Sequence, residues 1–346
     1  MSALRVAIVG CGLIGAKRAA ALRPDDELIA CYDIDPAAAR RLAAAHPPCA
    51  ACATLDELLG TAPQVVVVAT THDQLAGIAG AALDAEAHVL LEKPAGICTA
   101  QIDRLIARAG ASGCLVKVGF NHRFHPGIAR AAQEVHGGEH GELMHLRARY
   151  GHGGRPGYAG EWRADPARSG GGELIDQGMH LLDLSHWLAG PLPLHSALLR
   201  THFWETPVED NAALMLGEAS SRSGPWALLH VSWTEWKNLF SLELYCRTAK
   251  IQVDGLVRSY GPQRIRIYGM RPELGPPDLQ EIAYPDEDRS WEHEWANFAA
   301  AIKAGDASLL LGDLHDARYA WEQIEAAYRG GPYAAMRKAA AGEERA

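Results

Sequence analysis

Through the first third of the chain, short apolar runs alternate with longer stretches of helical period. Leu4 to Val9, Glu27 to Tyr32, Val65 to Ala69, His88 to Leu91 and Leu115 to Gly119 are runs of the length and β-branched content of buried strands. Between them lie helical patterns: Ala16 to Leu22, a helix starting at Pro36 behind Asp35, a capping box at Thr54 to Glu57, Gln74 to Ala87, and Thr99 to Ala109. Strand and helix in alternation predict a doubly wound parallel sheet, with ligands outside the C-terminal ends of its strands.

The second half changes period. After a helix from Pro126 to Val135, the segments Leu143 to Tyr150, His195 to Phe203, Ala212 to Leu216, Trp226 to Thr234, Leu239 to Cys246, Ile251 to Asp254 and Arg264 to Met270 follow one another as strands. Only one helical stretch, Glu173 to Leu188, interrupts them. Such a run predicts a separate, mostly antiparallel sheet. Trp226, Trp233, Trp236, Phe240 and Tyr245 belong either to an interface on its open face or to its core. Trp291 to Lys303 and Asp313 to Tyr328 are predicted terminal helices, and the Ala/Glu/Arg/Lys-rich end from Ala334 is expected to fray.

Two stretches carry candidate chemistry. Gly10-Cys11-Gly12-Leu13-Ile14-Gly15 follows a strand and opens a helix, the context that gives a G-x-G-x-x-G pattern meaning. Its glycines permit the turn, the approach of a pyrophosphate and the packing of helix on strand, and the phosphates sit on the helix N-terminus. Asp33 closes the next strand, 18 residues past Gly15, where a carboxylate accepts the ribose hydroxyls and repels a 2′-phosphate. No cation follows it before Arg40, which favours NAD over NADP. Asp35 is the natural cap of the helix beyond.

The second stretch is Gly170-Gly171-Gly172 followed by Glu173 to Asp183. On a helix, Asp176, His180 and Asp183 fall at i, i+4 and i+7, on one face. A carboxylate and an imidazole one turn apart make an acid/base pair; the plain alternative is a surface helix with a glycine entry.

Composition narrows the function classes. Of 346 residues, 48% are hydrophobic and 22% charged, an ordinary globular profile. A net charge of -9 argues against a nucleic-acid partner, and no apolar run is long enough to span a membrane, so a cytoplasmic protein is expected. The seven cysteines include one C-x2-C, Cys49 and Cys52, without a second ligand pair, and no metal is expected.

Gly10 to Gly15, the strand end Glu92-Lys93-Pro94, Gly119 to Phe124 and Gly170 to Asp183, in this order, resemble the glucose-fructose oxidoreductase / inositol dehydrogenase / MocA family over about residues 3–330. The resemblance implies an α/β plus α+β chain. A Rossmann domain would span 1–122. An open-sheet domain for substrate and self-association would span 123–330, its terminal helices returning to the first domain, with a flexible tail at 331–346.

It also implies NAD contacts from Gly10, Gly12, Leu13, Ile14, Gly15, Asp33, Thr70, Thr71, His72, Glu92, Lys93 and Asn121. Relatives often carry a proline after the fourth-strand threonine, where this chain has Thr71-His72. The catalytic set carried over is Lys93, Asp176 and His180. Substrate contacts are expected from these three with His122, Arg123, Tyr158, Trp162 and Arg163, while Asp183 is read as structural.

The implied activity is NAD-dependent oxidation of a secondary ring hydroxyl, at C3, of a sugar, nucleotide sugar or aminoglycoside, by a homodimer or homotetramer. The alternatives are a cyclitol dehydrogenase, a lyase or hydrolase that uses transient oxidation, and a non-catalytic NAD-binding regulator.

Overall fold

The computed structural model describes residues 3–273, 275–285 and 287–341, to which every count of elements refers. The chain forms two compact units. The first runs to Asn121 and takes up Trp291–Arg318; the second comprises His122–Ser290 and the chain from Tyr319 onward.

In the first unit β1 (Arg5–Val9), α1 (Leu13–Ala20), β2 (Glu27–Tyr32), α2 (Pro36–Ala45), β3 (Ala50–Ala51), α3 (Leu55–Gly60), β4 (Val65–Val68), α4 (His72–Asp84), β5 (His88–Leu91), α5 (Thr99–Ser112) and β6 (Val116–Val118) alternate as expected. The sheet is parallel, in the order β3-β2-β1-β4-β5-β6. All four residues of β4 are buried, as strands covered on both faces require. Strand β3 escaped the hydrophobic pattern because its two residues are exposed alanines.

The second unit opens with α6 (Pro126–His136) and β7 (Leu143–Gly151). A short α7 (Pro166–Ser169) leads to α8 (Met179–Ala189), and then β8 (Leu194–Arg200), β9 (Asn211–Leu216), β10 (Trp226–Ser232), β11 (Leu239–Cys246), β12 (Ala249–Asp254), β13 (Arg264–Gly269) and β14 (Asp278–Ala283) follow. They form one eight-stranded sheet, β14-β13-β12-β11-β7-β10-β9-β8. It is antiparallel except where β10 lies parallel to β7, Trp226 opposite His145 and Ser232 opposite Gly151. β14 was not expected, since its residues are almost all exposed and polar-rich.

One sheet face is core. Leu146, Ala148, Leu229, Val231, Leu242, Leu244, Ile251, Val253, Ile265 and Ile267 are buried, alternating along their strands with outward residues. Trp233 and Phe240 join the core, whereas Trp226 and Tyr245 stand on the other face. That face carries a cross-strand row, Trp226, His145, Tyr245, Lys250 and Tyr268, each opposite the next on the neighbouring strand. Its rings stack: His145 lies 4.8 Å from Trp226 and 4.3 Å from Tyr245, within 11° of parallel.

Helix α9 (Ser290–Ala304) packs Trp295 and Phe298 into the core of the first unit, and α10 (Leu314–Tyr328) follows. The segment expected to fray instead forms α11 (Ala334–Ala341), anchored where Met336 packs against the cluster of Tyr158, Val208 and Trp233. Residues 342–346 of that tail lie outside the described residues. No helix among the described residues is long and apolar enough to cross a membrane.

Candidate active site

The first-unit residues gather at the C-terminal ends of β1, β2, β4, β5 and β6. Gly10 has φ +92°, and a Cβ there would meet Ala69 O at 2.4 Å; one on Gly15 would meet Gly10 O at 1.9 Å. A Cβ on Gly12 would meet nothing within 4 Å. Two glycines are thus dictated by backbone packing, while the third faces open space at the start of α1, where no side chain caps the helix. Open space beside uncapped N–H groups is the cradle a pyrophosphate needs, so these residues fit a dinucleotide. Leu13 and Ile14 form the first turn, with Leu13 exposed.

Asp33 ties this loop to the neighbouring strand end. Its Oδ2 accepts the Cys11 N–H at 2.6 Å and its Oδ1 the Asp35 N–H at 2.8 Å. Each carboxylate oxygen has a second lone-pair direction, so the ribose role is compatible with both bonds. Asp35 caps α2 through the Ala37 N–H, as expected. Thr70 and Thr71 lie at the end of β4, where Thr71 is the N-cap of α4 without a side-chain bond to it; its hydroxyl donates to Asp73 at 2.6 Å. His72 is buried in the first turn of that helix.

Glu92 is held by a buried ion pair. Arg18 Nε donates to its Oε1 at 2.7 Å, and the same guanidinium reaches Glu294 and lies 4.4 Å from the Trp291 ring. Burial pushes the Glu92 carboxyl up, with Arg18 opposing. A Cβ on Gly119 would meet Arg18 Nη2 at 2.8 Å, so glycine there leaves room for the pair. This buried network anchors the turn that presents Lys93, itself half-buried and followed by a cis bond to Pro94. Asn121, buried, opens the one-turn segment Asn121–Phe124.

In the second unit the glycine-led helix departs from a plain α-helix. Its first full turn, Leu174–Gly178, is π-wound and runs directly into α8. Wide turns of this kind are frequent at functional sites. Asp176 sits in the middle of it and His180 just beyond.

His180 stacks on His122, ring centroids 3.8 Å apart, and His122 lies 5.1 Å from the Tyr150 ring. Asp176 Oδ2 stands 3.4 Å from Arg163 Nε, and Arg163 lies over the Trp162 ring at 4.6 Å. Gln177 Nε2 donates to the Tyr260 hydroxyl at 3.0 Å, and the Tyr260 ring is 5.4 Å from that of Tyr150. Burial, then Tyr260 and Asp176, hold the Tyr150 phenol well above its usual range. Burial likewise lowers His152, against the pull of Asp176. Carboxylate, imidazole and phenol groups are therefore grouped around one helix turn.

Two expected substrate contacts are also engaged in packing. Arg123 is buried, its Nε donating to Asp183 Oδ2 at 3.0 Å and its Nη2 to Oδ1, with the Trp187 ring 5.3 Å away. It anchors Asn121–Phe124 to α8, and Asp183 is structural as expected. Tyr158, expected on an exposed loop, is packed 4.8 Å from the Trp233 ring. Burial, with Asp176 and Glu173 adding, pushes its phenol above the ordinary range.

Tyr150, Gln177 and Tyr260 were missed by sequence reasoning. Tyr150 had a signal, standing near the end of a strand; Gln177 was masked by the assumption of α-helical period, and Tyr260 had none.

Residues 4–120 match the model of an oxidoreductase family with an NAD-binding Rossmann fold, and residues 128–252 match that of the GFO/IDH/MocA C-terminal domain. Levoglucosan dehydrogenase from Pseudarthrobacter phenanthrenivorans is 28% identical over 171 residues, 46% of this chain and 42% of the relative. D-glucoside 3-dehydrogenase from Escherichia coli is 31% identical over 197 residues, 55% of each. The matches thus span about half the length of these curated relatives. The solved structure of GenD2 from gentamicin A biosynthesis in complex with NAD superposes with a TM-score of 0.79 at 24% identity, covering 95% of this chain and 94% of that one.

Proposed function

Because the chain belongs to the GFO/IDH/MocA oxidoreductase family, we propose that it is an NAD-dependent dehydrogenase acting on a sugar, nucleotide sugar or aminoglycoside. The bond oxidised is that of a secondary ring hydroxyl, at C3, giving a ketone. The observation that carries this reading is Asp176 on a π-wound turn with His180 one turn further on, set among phenol, imidazole and guanidinium groups that match the donors and acceptors of a polyhydroxylated ring. D-glucoside 3-dehydrogenase, a relative by sequence, supports the position of attack by its name.

Bound NAD supplies the hydride acceptor. Lys93 places positive charge beside the substrate oxygen and stabilises it as its proton leaves. His180 accepts that proton, the role an imidazole fills as a general base. Asp176 hydrogen-bonds a neighbouring hydroxyl and fixes the ring, with Arg163 holding the carboxylate from the other side. A preference for NAD over NADP is supported by Asp33 at the end of β2, whose carboxylate repels a 2′-phosphate, and by the exposed Ile34 after it, which offers no cation.

The test is incubation with NAD and a panel of nucleotide sugars, sugar phosphates, aminoglycosides and inositols, following absorbance of the reduced cofactor. Reduction by a ring sugar with a ketone at C3 of the product is expected. Tight NAD binding with no reduction across the panel would overturn the reading in favour of a non-catalytic NAD-binding protein.

We also infer self-association through the open sheet face, where Leu198, Met215, Trp226 and Leu228 are exposed. Light scattering of Trp226→Glu with Leu228→Glu checks it: a dimer or tetramer that falls to monomer is expected, and a wild-type monomer would refute it.

A further inference from the structure

Beneath the turn that carries Asp176 lies a carboxylate that this function does not use. Glu209, on the segment leading into β9, is wholly buried, and its Oε1 accepts the N–H of Leu174, the first residue of the π turn, at 3.0 Å. Its backbone oxygen accepts the Glu173 N–H at 3.0 Å. The entry glycines are cut to fit it: a Cβ on Gly172 would meet Glu209 O at 2.1 Å and its carboxyl carbon at 2.9 Å.

Tyr328 of α10 completes the cradle. Its hydroxyl accepts the Gly172 N–H at 3.3 Å, and a Cβ on Gly171 would strike it at 2.3 Å. Glycine at these two positions is explained by Glu209 and Tyr328.

We propose that Glu209 is a positioning residue for the substrate-side groups. Its carboxyl, with the Tyr328 hydroxyl, sets the start of the π turn and so the placement of Asp176 and His180. The charge at a helix N-terminus favours an anion, and the bond to Leu174 fixes where the winding begins. A helix started one residue later or wound as ordinary α would turn Asp176 away from Arg163.

The proposal rests on the reading of Asp176 and His180 as substrate-side groups, but its test does not. Burial pushes the Glu209 carboxyl up to about 7, with the Tyr328 hydroxyl and the Leu174 N–H opposing. The grip on Leu174 should therefore tighten as pH rises through neutrality. The other ionisable groups facing this region are Tyr328, Tyr333, Glu173, Asp210 and, towards Tyr328, Arg337.

Amide-exchange protection of residues 174–178, against that of α2 as an internal reference, is measured across neutral pH for the full chain, Glu209→Gln and Glu209→Ala. Protection in the wild type should rise severalfold with pH, that rise should vanish in Glu209→Gln, and Glu209→Ala should lose protection at least tenfold, with NAD affinity unchanged. The amide of Glu209→Gln still accepts the Leu174 N–H, so this variant carries the test alone if Glu209→Ala fails to fold. An unchanged pH dependence in Glu209→Gln overturns the proposal. Turnover by the wild type bears separately on the dehydrogenase reading, and kcat in Glu209→Gln should lose the same neutral limb while KM for NAD stays fixed.

Discussion

The imidazole of His180 stacks on that of His122, centroids 3.8 Å apart and planes 23° from parallel. His122 is buried and T-shaped against His125 at 5.6 Å, so the wall behind His180 is itself braced. A proton acceptor held by a flat aromatic surface loses rotational freedom before substrate arrives. His122→Ala should lower kcat by roughly tenfold or more, part of the ~10²–10⁴-fold that a positioned proton-transfer group contributes. His122→Phe, which keeps the stacking surface, should recover most of it. Steady-state kinetics on both variants check this; equal losses would show that the ring's chemistry, not its surface, matters.

Lys93→Ala should remove about 10²–10³-fold of turnover, the scale of one lost charge-stabilising donor. NAD affinity, read by calorimetry, should be nearly unchanged, since the pyrophosphate cradle is elsewhere. Retained turnover would remove Lys93 from the reaction.

Two of the fingerprint glycines should separate cleanly. Gly12 has φ -75° and open space, so Gly12→Ala should leave the melting temperature alone and weaken NAD. Gly10→Ala, forced to φ +92° against Ala69 O, should cost about 1–3 kcal/mol of stability first. Thermal melts and NAD titrations on the two variants suffice; a destabilised Gly12→Ala would contradict the assignment.

Asp33→Ala should weaken NAD and narrow the preference over NADP. Because Asp33 also accepts the Cys11 N–H, part of the loss should appear for both dinucleotides alike. Titrating both cofactors separates the two contributions, and an unchanged NAD/NADP ratio would argue against the ribose role.

His125 gives a pH prediction. Burial holds its imidazole down at about 4, with Asp288 opposing. Unfolded, it titrates near 6.5, so the unfolded chain binds this proton first as pH falls. Its contribution to stability is therefore complete above the unfolded value and lost as pH falls from there toward 4. The loss is on the order of 3 kcal/mol. Urea unfolding of wild type and His125→Gln across that window checks it: the variant should show a shallower fall.

The dinucleotide half of the site was legible because its signals are local. The glycines of Gly10 to Gly15 fall within one strand-to-helix turn, and Asp33 ends a strand whose apolar run marks that end. The second half was legible only in part. Asp176 and His180 stood out by spacing, but a π turn has no periodic signature in a short segment, since it depends on Glu209 and Tyr328 far along the chain. The packing of Arg123 and Tyr158 was not legible. Polar and aromatic residues beside site motifs suggest ligand contacts, yet their partners Asp183 and Trp233 are set by tertiary packing.

The parallel pairing of β7 with β10 has an architectural consequence. Parallel neighbours end together, so Gly151 and Ser232 hand their following segments to the same rim of the sheet. There the segments lean on each other: a Cβ on Gly153 would lie 3.2 Å from Glu235 O and 3.4 Å from the Trp236 ring. The rim is thus a surface of exchangeable loops on a register fixed by the strands beneath. Swapping residues 152–168 together with 233–238 from another member should transplant sugar preference without rebuilding the sheet, whereas swapping either segment alone should break their mutual fit.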